Sequence, residues 1–483
     1  MLQLIATILY ILLILTVVVI ILVDKGDAGR KFAWLLIIAA LPVLGILLYF
    51  LVGINYRHHW IFDRRHQKYK DIFEKGTNDA LNSLLFGHEA ETLVKEDFRP
   101  LAVLMGRDAY PTVSSGNDFE IITRGKRKFE LLCEDILQAK EYIHMEYFKF
   151  GNDEGGKAIK ELLMKKAREG VKVRFILENI ANFPIRPRYY NDMREAGVEV
   201  VRFTNPRSHF LKFVTSINFR NHRKIVVIDG KIGYTGGMNI NDNYFNRWRD
   251  THLRITGPAV ASLQYAFMDS WLTAGASIDR PLIDYYPTWS SPTNAFPAAT
   301  AGKLVQIIPD EPDLPMPMLL YSYEWVIQHA RKYIWLQTPY FVPPETVLDA
   351  MKIAALSGVD IRIMLPERAD NFITRPANRA YYEEILRAGV RLFLRQGEFI
   401  HSKTFVCDDY LSSIGSANID SRSFDINYEI NTYIYDEETA RKCKAIYEAD
   451  LEKSRELTLD EWSKRPWHNR VAESIIQLLS PLL

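Results

Sequence analysis

The N-terminal part of the chain consists of two uncharged apolar runs joined by a short polar link. The runs cover residues 2–23 and 32–54, and the link at residues 24–31 is too short to form a domain. About 20 apolar residues in a helix cross a bilayer, and a proline such as Pro42 is tolerated inside such a helix. The pattern therefore predicts a transmembrane helical hairpin over residues 1–56.

Basic residues near the second apolar run predict the orientation of this hairpin. The link carries fewer of them than the stretch that follows the second run, which contains Arg57, Arg64, Arg65, Lys68 and Lys70. Lys and Arg concentrate on the cytoplasmic side of membrane proteins. We therefore expect a multi-pass protein of the cell membrane whose large C-terminal part, including any catalytic site, lies in the cytoplasm.

The rest of the chain alternates between strand-like and helix-like patterns of apolar residues. A mixed polar stretch at residues 57–117 is typical of a connector with some helix, and alternating elements fill residues 118–275. The same order of elements returns at residues 304–460. Alternation at this spacing indicates α/β layers around a largely parallel sheet. We predict two tandem α/β/α lobes related by a pseudo-two-fold axis.

Two further segments differ from the lobes in composition. Residues 276–303 are rich in proline and contain adjacent serines, which favours a linker between the lobes. Residues 461–483 carry apolar positions that predict an amphipathic tail, either packed on the protein or lying in the membrane interface.

Overall charge and cysteine content exclude several functional classes. The 60 basic and 59 acidic residues give a net charge of +1, so no global field attracts a polyanion. Nucleic acid is therefore not an expected partner. The 3 cysteines are scattered and form no C-x-x-C pair, which argues against a disulfide framework and against a thiolate metal site.

One motif, H-x-K-x4-D-x6-G-[GS]-x-N, occurs in both lobes. The copies begin at His222 and His401, and each histidine is followed at the same distance by a carboxylate. The first set is His222, Lys224, Asp229, Asn239 and Asp250, and the second is His401, Lys403, Asp408, Asn418 and Glu429. Such a duplicated set predicts one active site built from two halves.

The residue types of this set suit chemistry at a phosphodiester. His and Lys two residues apart on a strand face the same side. One neutral imidazole can attack while the other, protonated, donates to the leaving oxygen. Two lysines and two asparagines supply positive charge and hydrogen-bond donors around a group whose negative charge is spread over several oxygens. We therefore predict phosphodiester chemistry.

The four carboxylates of the motif are expected to have two different roles. Asp250 and Glu429 are placed in sequence to accept a hydrogen bond from an imidazole, which fixes its tautomer and orientation. Asp229 and Asp408 lie past the end of the buried run, where holding the turn is the expected role, and belong to the catalytic set as motif members. No cluster with the spacing of metal ligands is visible, and we expect neither a metal nor another cofactor.

At these residues the chain resembles the phospholipase D superfamily, whose mark is this doubled motif. Within the superfamily it is similar to bacterial cardiolipin synthases. The similarity includes the N-terminal double span, the segments at residues 236–240 and 248–257, the string QTPYFVP at residues 337–343 and the closing residues 480–483. It implies two phospholipase D-like lobes that transfer a phosphatidyl group between two phosphatidylglycerol molecules. The products would be cardiolipin and glycerol, formed through a phosphohistidine without metal.

The resemblance also assigns roles to the matching positions. His222 would be the nucleophile and His401 the general acid and then base, although the motif leaves the reverse assignment open. The phosphate would be bound by Lys224, Lys403, Asn239 and Asn418, with a hydroxyl from Ser416 on one side only, because Gly237 occupies the equivalent place. Phosphatidylglycerol and cardiolipin in the membrane are the implied partners, and no oligomeric state is implied.

Three other functions are compatible with parts of the sequence: a hydrolase, a nuclease and an inactive scaffold. A phospholipase D that hydrolyses membrane phospholipids shares the first half-reaction and uses water as the acceptor, but the membrane hairpin favours transfer between lipids. A nuclease of the same superfamily is disfavoured by the neutral charge of the chain. A catalytically inactive membrane scaffold is disfavoured because both motifs are complete.

Overall fold

The computed structural model describes residues 2–23, 28–53, 71–73, 75–107, 110–185, 187–203, 219–286, 302–312, 314, 316–370 and 374–479. Besides the closing residues 480–483, three predicted features lie wholly or partly outside these residues. They are the centre of the polar link (24–27), the basic stretch at 57–70 and the proline-rich part of the linker (287–301).

The N-terminal segment forms one long helix and one interrupted helix. Helix α1 covers Leu2–Val23, α2 covers Ala28–Ala40, and α3 covers Pro42–Leu48 before a π-helical turn at Tyr49–Gly53. The second apolar run breaks at Leu41 because Pro42 lacks an N–H and takes the first position of a new helix. The sequence predicted two membrane-spanning helices with Pro42 tolerated inside the second, and the structure divides that second run into two shorter helices at Leu41.

Within the described residues, a single helix is long and apolar enough to cross a bilayer, over Gln3–Val23. The predicted pairing of the two apolar runs is nevertheless present. Val17 and Ile21 of α1 share a buried cluster with Trp34 and Ile38 of α2. The N-terminal segment is thus a packed pair in which the first helix is continuous and the second is interrupted at Leu41.

The region predicted as a polar connector contributes to the cores of both lobes. It forms α4 at Asp79–Phe86, a 3₁₀ turn at Glu89–Leu93 and α5 at Arg99–Met105. Leu81 is buried with residues of the first lobe, whereas Leu101 is buried with residues of the second. These helices therefore hold the lobes together as well as connecting them to the N-terminal segment.

The first lobe begins at Ser114, slightly before the predicted boundary. Its strands are β1 (Ser114–Ile122), β2 (Tyr142–Tyr147), β3 (Lys172–Glu178), β4 (Glu199–Phe203), β5 (Lys224–Ile228), β6 (Ile232–Gly236), β7 (Trp248–Arg249) and β8 (His252–Thr256). Its helices are α6 (Gly125–Gln138), α7 (Glu154–Arg168), α8 (Pro187–Glu195), α9 (Asp242–Asn246) and α10 (Ala259–Thr273), followed by a 3₁₀ turn at Leu282–Tyr285. Asp153 caps α7 by accepting a hydrogen bond from the Gly156 amide, which satisfies one of the free N–H groups of the first turn.

The second lobe repeats this plan and adds an edge strand. Its strands are β9 (Lys303–Asp310), β10 (Tyr333–Gln337), β11 (Phe341–Val342), β12 (Asp360–Pro366), β13 (Arg391–Arg395), β14 (Phe399–Ile400), β15 (Thr404–Cys407), β16 (Leu411–Gly415), β17 (Ile419–Asp420), β18 (Glu429–Tyr435) and β19 (Ser454–Leu457). Its helices are α11 (Met318–His329), α12 (Glu345–Leu356), α13 (Thr374–Arg379), α14 (Tyr382–Arg387), α15 (Ser421–Asp425), α16 (Glu437–Leu451), α17 (Leu459–Ser463) and α18 (Trp467–Leu479).

One continuous sheet of 15 strands runs through both lobes in the order β19-β13-β12-β10-β15-β16-β18-β9-β1-β8-β6-β5-β2-β3-β4. Strands β1 and β9 pair antiparallel at its centre, and the strand order is the same going outward on each side. The predicted tandem α/β lobes and their pseudo-two-fold relation are confirmed. The sheet is mixed, because only three strands in each lobe are parallel neighbours.

The C-terminal tail forms α18 and packs against the protein. Glu473 is buried and accepts hydrogen bonds from Arg379 at 2.9 Å and from Arg465 at 3.0 Å. Trp467 at the start of the helix is 75% exposed. The described part of the tail is therefore amphipathic, with a polar anchor on α13.

Candidate active site

The two motif histidines line the same cavity between the lobes. His222 directly precedes Arg223 and strand β5, and His401 lies shortly before strand β15, the equivalent strand of the second lobe. Both histidines are at the wall of a cavity of about 550 Å³, to which each lobe contributes residues. The structure therefore brings the two halves of the duplicated motif together, as the sequence predicted.

Backbone hydrogen bonds across the lobe interface fix the position of each histidine. The His222 amide donates to the Tyr428 carbonyl at 2.9 Å, and the His401 amide donates to the Arg249 carbonyl at 2.7 Å. Tyr428 and Arg249 each directly precede a motif carboxylate. Each histidine is therefore attached to the segment of the other lobe that carries a carboxylate.

The histidine–carboxylate pairs are crossed between the lobes. His222 Nδ1 lies 3.0 Å from both carboxylate oxygens of Glu429. His401 Nδ1 lies 2.8 Å from Oδ2 of Asp250. The sequence predicted that these carboxylates orient imidazoles but did not reveal that each serves the histidine of the other lobe. In both rings Nδ1 is held by a carboxylate, so Nε2 is the atom left to react, and Nε2 of His401 lies 3.2 Å from Nζ of Lys403.

The two carboxylates are supported differently. Glu429 accepts a hydrogen bond from the Ser416 hydroxyl at 2.5 Å and another from the Asn427 amide at 3.1 Å. In the first lobe Gly237 occupies the place of Ser416, and a Cβ there would lie 2.2 Å from Oδ1 of Asp250. The Ser416 hydroxyl therefore donates to Glu429, and its expected contact with phosphate stays a prediction.

The motif lysines and asparagines surround the imidazoles. Lys224 donates through Nζ to the His222 carbonyl, and Lys403 donates to the His401 carbonyl at 2.6 Å and lies 2.7 Å from Nδ1 of that ring. Asn239 lines the cavity and donates to the Tyr244 hydroxyl at 2.9 Å. Asn418 lines the cavity from the second lobe. The arrangement places each lysine beside its own histidine and both asparagines on the cavity wall.

Burial sets the protonation of this group. Loss of solvation lowers the pKa of Lys224 to about 7 and that of Lys403 to about 8. Burial, with Lys403 close by, lowers the pKa of His401 to about 3, and burial also lowers the pKa of His222. Burial therefore disfavours the charged form of both imidazoles and of both lysines.

Glu429 shows the opposite balance. Burial alone would raise its pKa, but His222 and Lys224, with the hydrogen bond from Ser416, hold that pKa below its usual value. A carboxylate that stays ionised keeps His222 in the tautomer with the proton on Nδ1.

Asp229 and Asp408 lie at the opposite ends of strands β5 and β15 from the histidines. Asp229 accepts hydrogen bonds from the amides of Lys140, Glu141 and Tyr142 at 2.8–2.9 Å. Asp408 accepts in the same way from Arg331, Lys332 and Tyr333 at 2.7–2.9 Å. Both have positive φ, 50° and 47°. These contacts are those of the turn-holding role expected for both residues, and their membership of the catalytic set stays a prediction.

Several residues that flank His401 were not predicted. The ring of Trp248 stacks on His401 with centroids 5.0 Å apart, and the Tyr244 hydroxyl lies 3.2 Å from Nδ1. The equivalent of Trp248 in the other half is Asn427. The spacing that relates the two motif copies locates these pairs in the sequence, but it does not show that their side chains reach the cavity.

No three His, Cys, Asp or Glu side chains are grouped to hold a metal ion in the part of the chain that the structure describes. Among the groups that line the cavity, positive charge is supplied by Lys149, Arg220 and Arg422.

Comparison with known families identifies this arrangement. A family model described as cardiolipin synthase, phospholipase D-like domain, matches residues 132–271 and 324–451. The chain belongs to the cardiolipin synthase family of the phospholipase D superfamily. It is accordingly an enzyme of the phosphatidyltransferase class. A second model, described as phospholipase D-nuclease N-terminal, matches residues 11–53, in agreement with membrane association of the N-terminal helices.

Individual relatives match almost the whole chain. The major cardiolipin synthase ClsA of Bacillus subtilis (strain 168) is 35% identical, and the match covers 98% of each protein. A cardiolipin synthase of Geobacillus sp. (strain WCH70) is 36% identical, over 96% of this chain and 91% of that protein. The family assignment therefore applies to the N-terminal segment as well as to both lobes.

A solved structure shares the architecture of the lobes. The crystal structure of phosphatidylserine synthase from Haemophilus influenzae Rd KW20 superposes with a TM-score of 0.57 at 14% identity, covering 80% of this chain and 100% of that one. At this identity the similarity concerns the fold alone.

Proposed function

We propose that this protein transfers a phosphatidyl group from one phosphatidylglycerol to another and so forms cardiolipin and glycerol. The main support is the pair of imidazoles that line one cavity, each held through Nδ1 by a carboxylate of the other lobe. The names of the relatives support the same product.

In the first half-reaction His222 attacks the phosphorus of the donor lipid. Glu429 holds the Nδ1 proton, so the lone pair on Nε2 is the nucleophile. A P–N bond forms, the P–O bond to glycerol breaks, and His401 gives its proton to the departing oxygen. The products are free glycerol and a phosphatidyl group on His222.

The assignment of the nucleophile to His222 is supported by the environment of Glu429. A phosphorylated imidazole carries positive charge, and Glu429 is the carboxylate with two supporting donors, Ser416 and Asn427. Its lowered pKa keeps it ionised beside the charged intermediate. Asp250 receives no side-chain hydrogen bond equivalent to that of Ser416, because Gly237 occupies that place.

In the second half-reaction His401 acts as a base. It takes the proton from a glycerol hydroxyl of a second phosphatidylglycerol, whose oxygen then attacks the phosphorus. The P–N bond breaks, cardiolipin leaves, and both histidines return to their starting states. His401 must therefore be protonated while donor lipid is bound, and the phosphate anion supplies the charge that raises its low pKa.

Lys224, Lys403, Asn239 and Asn418 would stabilise the five-coordinate phosphorus in both half-reactions. Two ammonium groups and two amides balance charge on the equatorial oxygens. We propose that these groups perform the stabilising role without a bound metal ion.

We further propose that α1 and the interrupted segment at residues 28–53 form a membrane hairpin with the lobes in the cytoplasm. The two segments pack on each other, and the 25 helical residues of the second, at about 1.5 Å each, together exceed the ~30 Å hydrocarbon core. The basic residues that follow support the orientation.

Purified full-length protein in phosphatidylglycerol vesicles tests the activity. We expect cardiolipin and free glycerol in equal amounts, without nucleotide and with EDTA present. Phosphatidic acid as the main product would instead identify a hydrolase. Loss of activity in EDTA, restored by a divalent metal, would contradict the metal-free proposal.

Histidine variants test the shared site and the assignment of roles. His222→Ala and His401→Ala should each lose nearly all turnover. With labelled phosphatidylglycerol, His401→Ala should retain a trapped, acid-labile phosphoenzyme and His222→Ala should not. The opposite pattern would reverse the roles, and full turnover in either variant would contradict a shared site.

A further inference from the structure

The pseudo-two-fold relation allows residues at equivalent positions of the cavity to be compared. Asn182 accepts a hydrogen bond from the Phe150 amide at 2.9 Å and donates to the Phe148 carbonyl at 2.8 Å. Asn378 makes the same two contacts in the second lobe, with the Phe341 amide and the Pro339 carbonyl. The residues enclosed by these contacts, Lys149 and Tyr340, are therefore structural equivalents.

The two lobes place different chemistry at this position. Lys149 brings an ammonium group to the cavity from the first lobe. Tyr340 instead donates a hydrogen bond to Oδ2 of Asp370 at 2.6 Å, and its ring centroid lies 6.2 Å from that of His401. Both Tyr340 and Asp370 line the cavity.

A second pair of equivalent positions shows the same difference in charge. Asn241 and Asp420 each lie two residues after the motif asparagine, and both line the cavity. Each also caps a short helix, and Asp420 does so by accepting from the Ser423 amide at 2.7 Å. The second lobe therefore presents Tyr340 with its partner Asp370, and Asp420, where the first presents Lys149 and Asn241.

Carboxylates at this wall do not suit a phosphate, which offers oxygens with negative charge and no proton to donate. They suit a neutral ligand with several hydroxyl groups, because ionised carboxylates are acceptors only. Asn418 adds a further acceptor, since it is 5% exposed, lines the cavity and has a side-chain oxygen without a hydrogen-bond partner. The soft χ2 torsion of asparagine lets that oxygen turn toward a hydroxyl.

We propose that Asp370, Asp420 and Asn418 form a polyol subsite beside His401 that binds the glycerol headgroup. The inference rests on the proposed function, in which His401 exchanges a proton with the glycerol oxygen. The leaving glycerol and the glycerol of the accepting lipid occupy this subsite in turn. The cavity thereby selects a polyol as acceptor over water or a simple alcohol.

Competition between alcohols tests the subsite. Full-length protein in mixed micelles of detergent and phosphatidylglycerol is given deuterated glycerol and methanol together. The phosphatidyl group passes from His222 to either alcohol, with an O–P bond formed, the P–N bond broken and the hydroxyl proton taken by His401. Mass spectrometry gives the ratio of deuterated phosphatidylglycerol to phosphatidylmethanol, and this ratio does not depend on the fraction of active protein.

We expect wild-type protein to prefer glycerol, and Asp420→Asn to lower the ratio about tenfold through loss of a hydrogen bond to a charged acceptor. Asn still caps the helix at that position. Asp370→Asn should lower the ratio less, because Asp370 is exposed to water. Asp460→Asn, an exposed carboxylate on α17 outside the cavity, is the matched control and should leave the ratio unchanged.

The possible failures are distinguishable. An unchanged ratio in both cavity variants, or no preference for glycerol in wild type, would overturn the subsite and leave the transfer function standing. Formation of phosphatidic acid alone, with neither alcohol accepted, would overturn the transfer function and the subsite with it.

Discussion

At the scale of single residues, the orientation of each imidazole depends on one carboxylate. His222 reaches Glu429 through Nδ1, and Glu429 is in turn held by Ser416 and Asn427. Such a carboxylate selects the tautomer and stabilises the charged ring without exchanging protons with substrate. We therefore expect changes to the side chains that hold the histidines to lower turnover as well.

Glu429→Gln should keep the fold and lose most of the activity. An amide at this position no longer enforces the Nδ1 tautomer, and the equivalent change in other base–orienter pairs lowers kcat by up to about 10⁴-fold. We expect at least a 100-fold fall in kcat with a smaller change in KM. Glu452→Gln, an exposed glutamate on the surface, should behave as wild type. Turnover of Glu429→Gln within twofold of wild type would show that the pair is not required.

The lowered pKa values of the two lysines predict how anion binding depends on pH. Dimethyl phosphate is a diester that stays a monoanion over the range of interest, and it should compete with the lipid. Lys224 and Lys403, with pKa values of about 7 and about 8, are charged in acid and lose charge as pH rises. The inhibition constant should therefore increase about tenfold or more between about pH 6 and pH 9.

A lysine-to-arginine variant provides the control for this measurement. Lys403→Arg keeps its charge throughout the range, so the inhibition constant should depend less steeply on pH. An inhibition constant independent of pH in the wild type would mean that neither lysine titrates in the free enzyme.

At the scale of secondary-structure elements, the two copies of the motif and its flanking elements could be compared within one chain. This comparison predicted the order of strands and helices more fully than the periodicity of apolar residues does. The doubled motif located strands β5 and β15 and the residues that follow them. It did not reveal the break at Leu41–Pro42, since a proline inside an apolar run is compatible with either a kink or a new helix. It also did not distinguish parallel from antiparallel neighbours, which depend on contacts distant in the sequence.

Site residues on the repeated motif could be predicted from the sequence, whereas those outside it could not. Those on the repeated motif were predictable because residue type and spacing recur. Tyr340, Asp370 and Trp248 reach the cavity from segments whose sequences differ between the lobes, so comparison of the two copies could not identify them. The crossed histidine–carboxylate pairs likewise depend on how the lobes are docked and not on either lobe alone.

Removal of the Asp408 carboxylate should lower the stability of the protein without lowering its catalytic activity. Its carboxylate joins the start of β10 to the end of β15 through three backbone amides. Asp408→Ala removes the acceptor for these amides, two of which water can still reach, and puts alanine at a positive φ, so unfolding free energy should fall by about 1–2 kcal/mol.

Asp408→Asn is the matched comparison. Asparagine tolerates positive φ and keeps one acceptor oxygen, so its melting temperature should lie between those of Asp408→Ala and wild type. Turnover per folded molecule, measured well below the melting temperature, should match wild type in both variants. A large fall in that turnover would instead indicate that Asp408 has a catalytic role.

At the scale of the whole molecule, the continuous sheet joins the two lobes into one unit. Strands β9 and β1 pair at its centre, and α4 and α5 pack on opposite lobes. In every molecule, the two halves of the cavity should therefore come from the same chain.

Mixing inactive variants tests this. When His222→Ala and His401→Ala are unfolded, refolded together and assayed, activity should stay below about 5% of wild type, because exchange of lobes would break the central strand pair. Each variant refolded alone is the background, and refolded wild type gives the recovery. Activity approaching a quarter of wild type would demonstrate lobe exchange between chains.

The crossed pairing of His222 with Glu429 and of His401 with Asp250 also bears on how such a chain could have arisen. A solitary ancestor with one motif would hold its imidazole without a partner until a second molecule supplied the carboxylate, so self-association would have preceded fusion. Once both copies lay in one gene, each was free to diverge. Glycine stands opposite serine at one pair of equivalent positions and lysine opposite tyrosine at another, so the two sides of the cavity are not interchangeable.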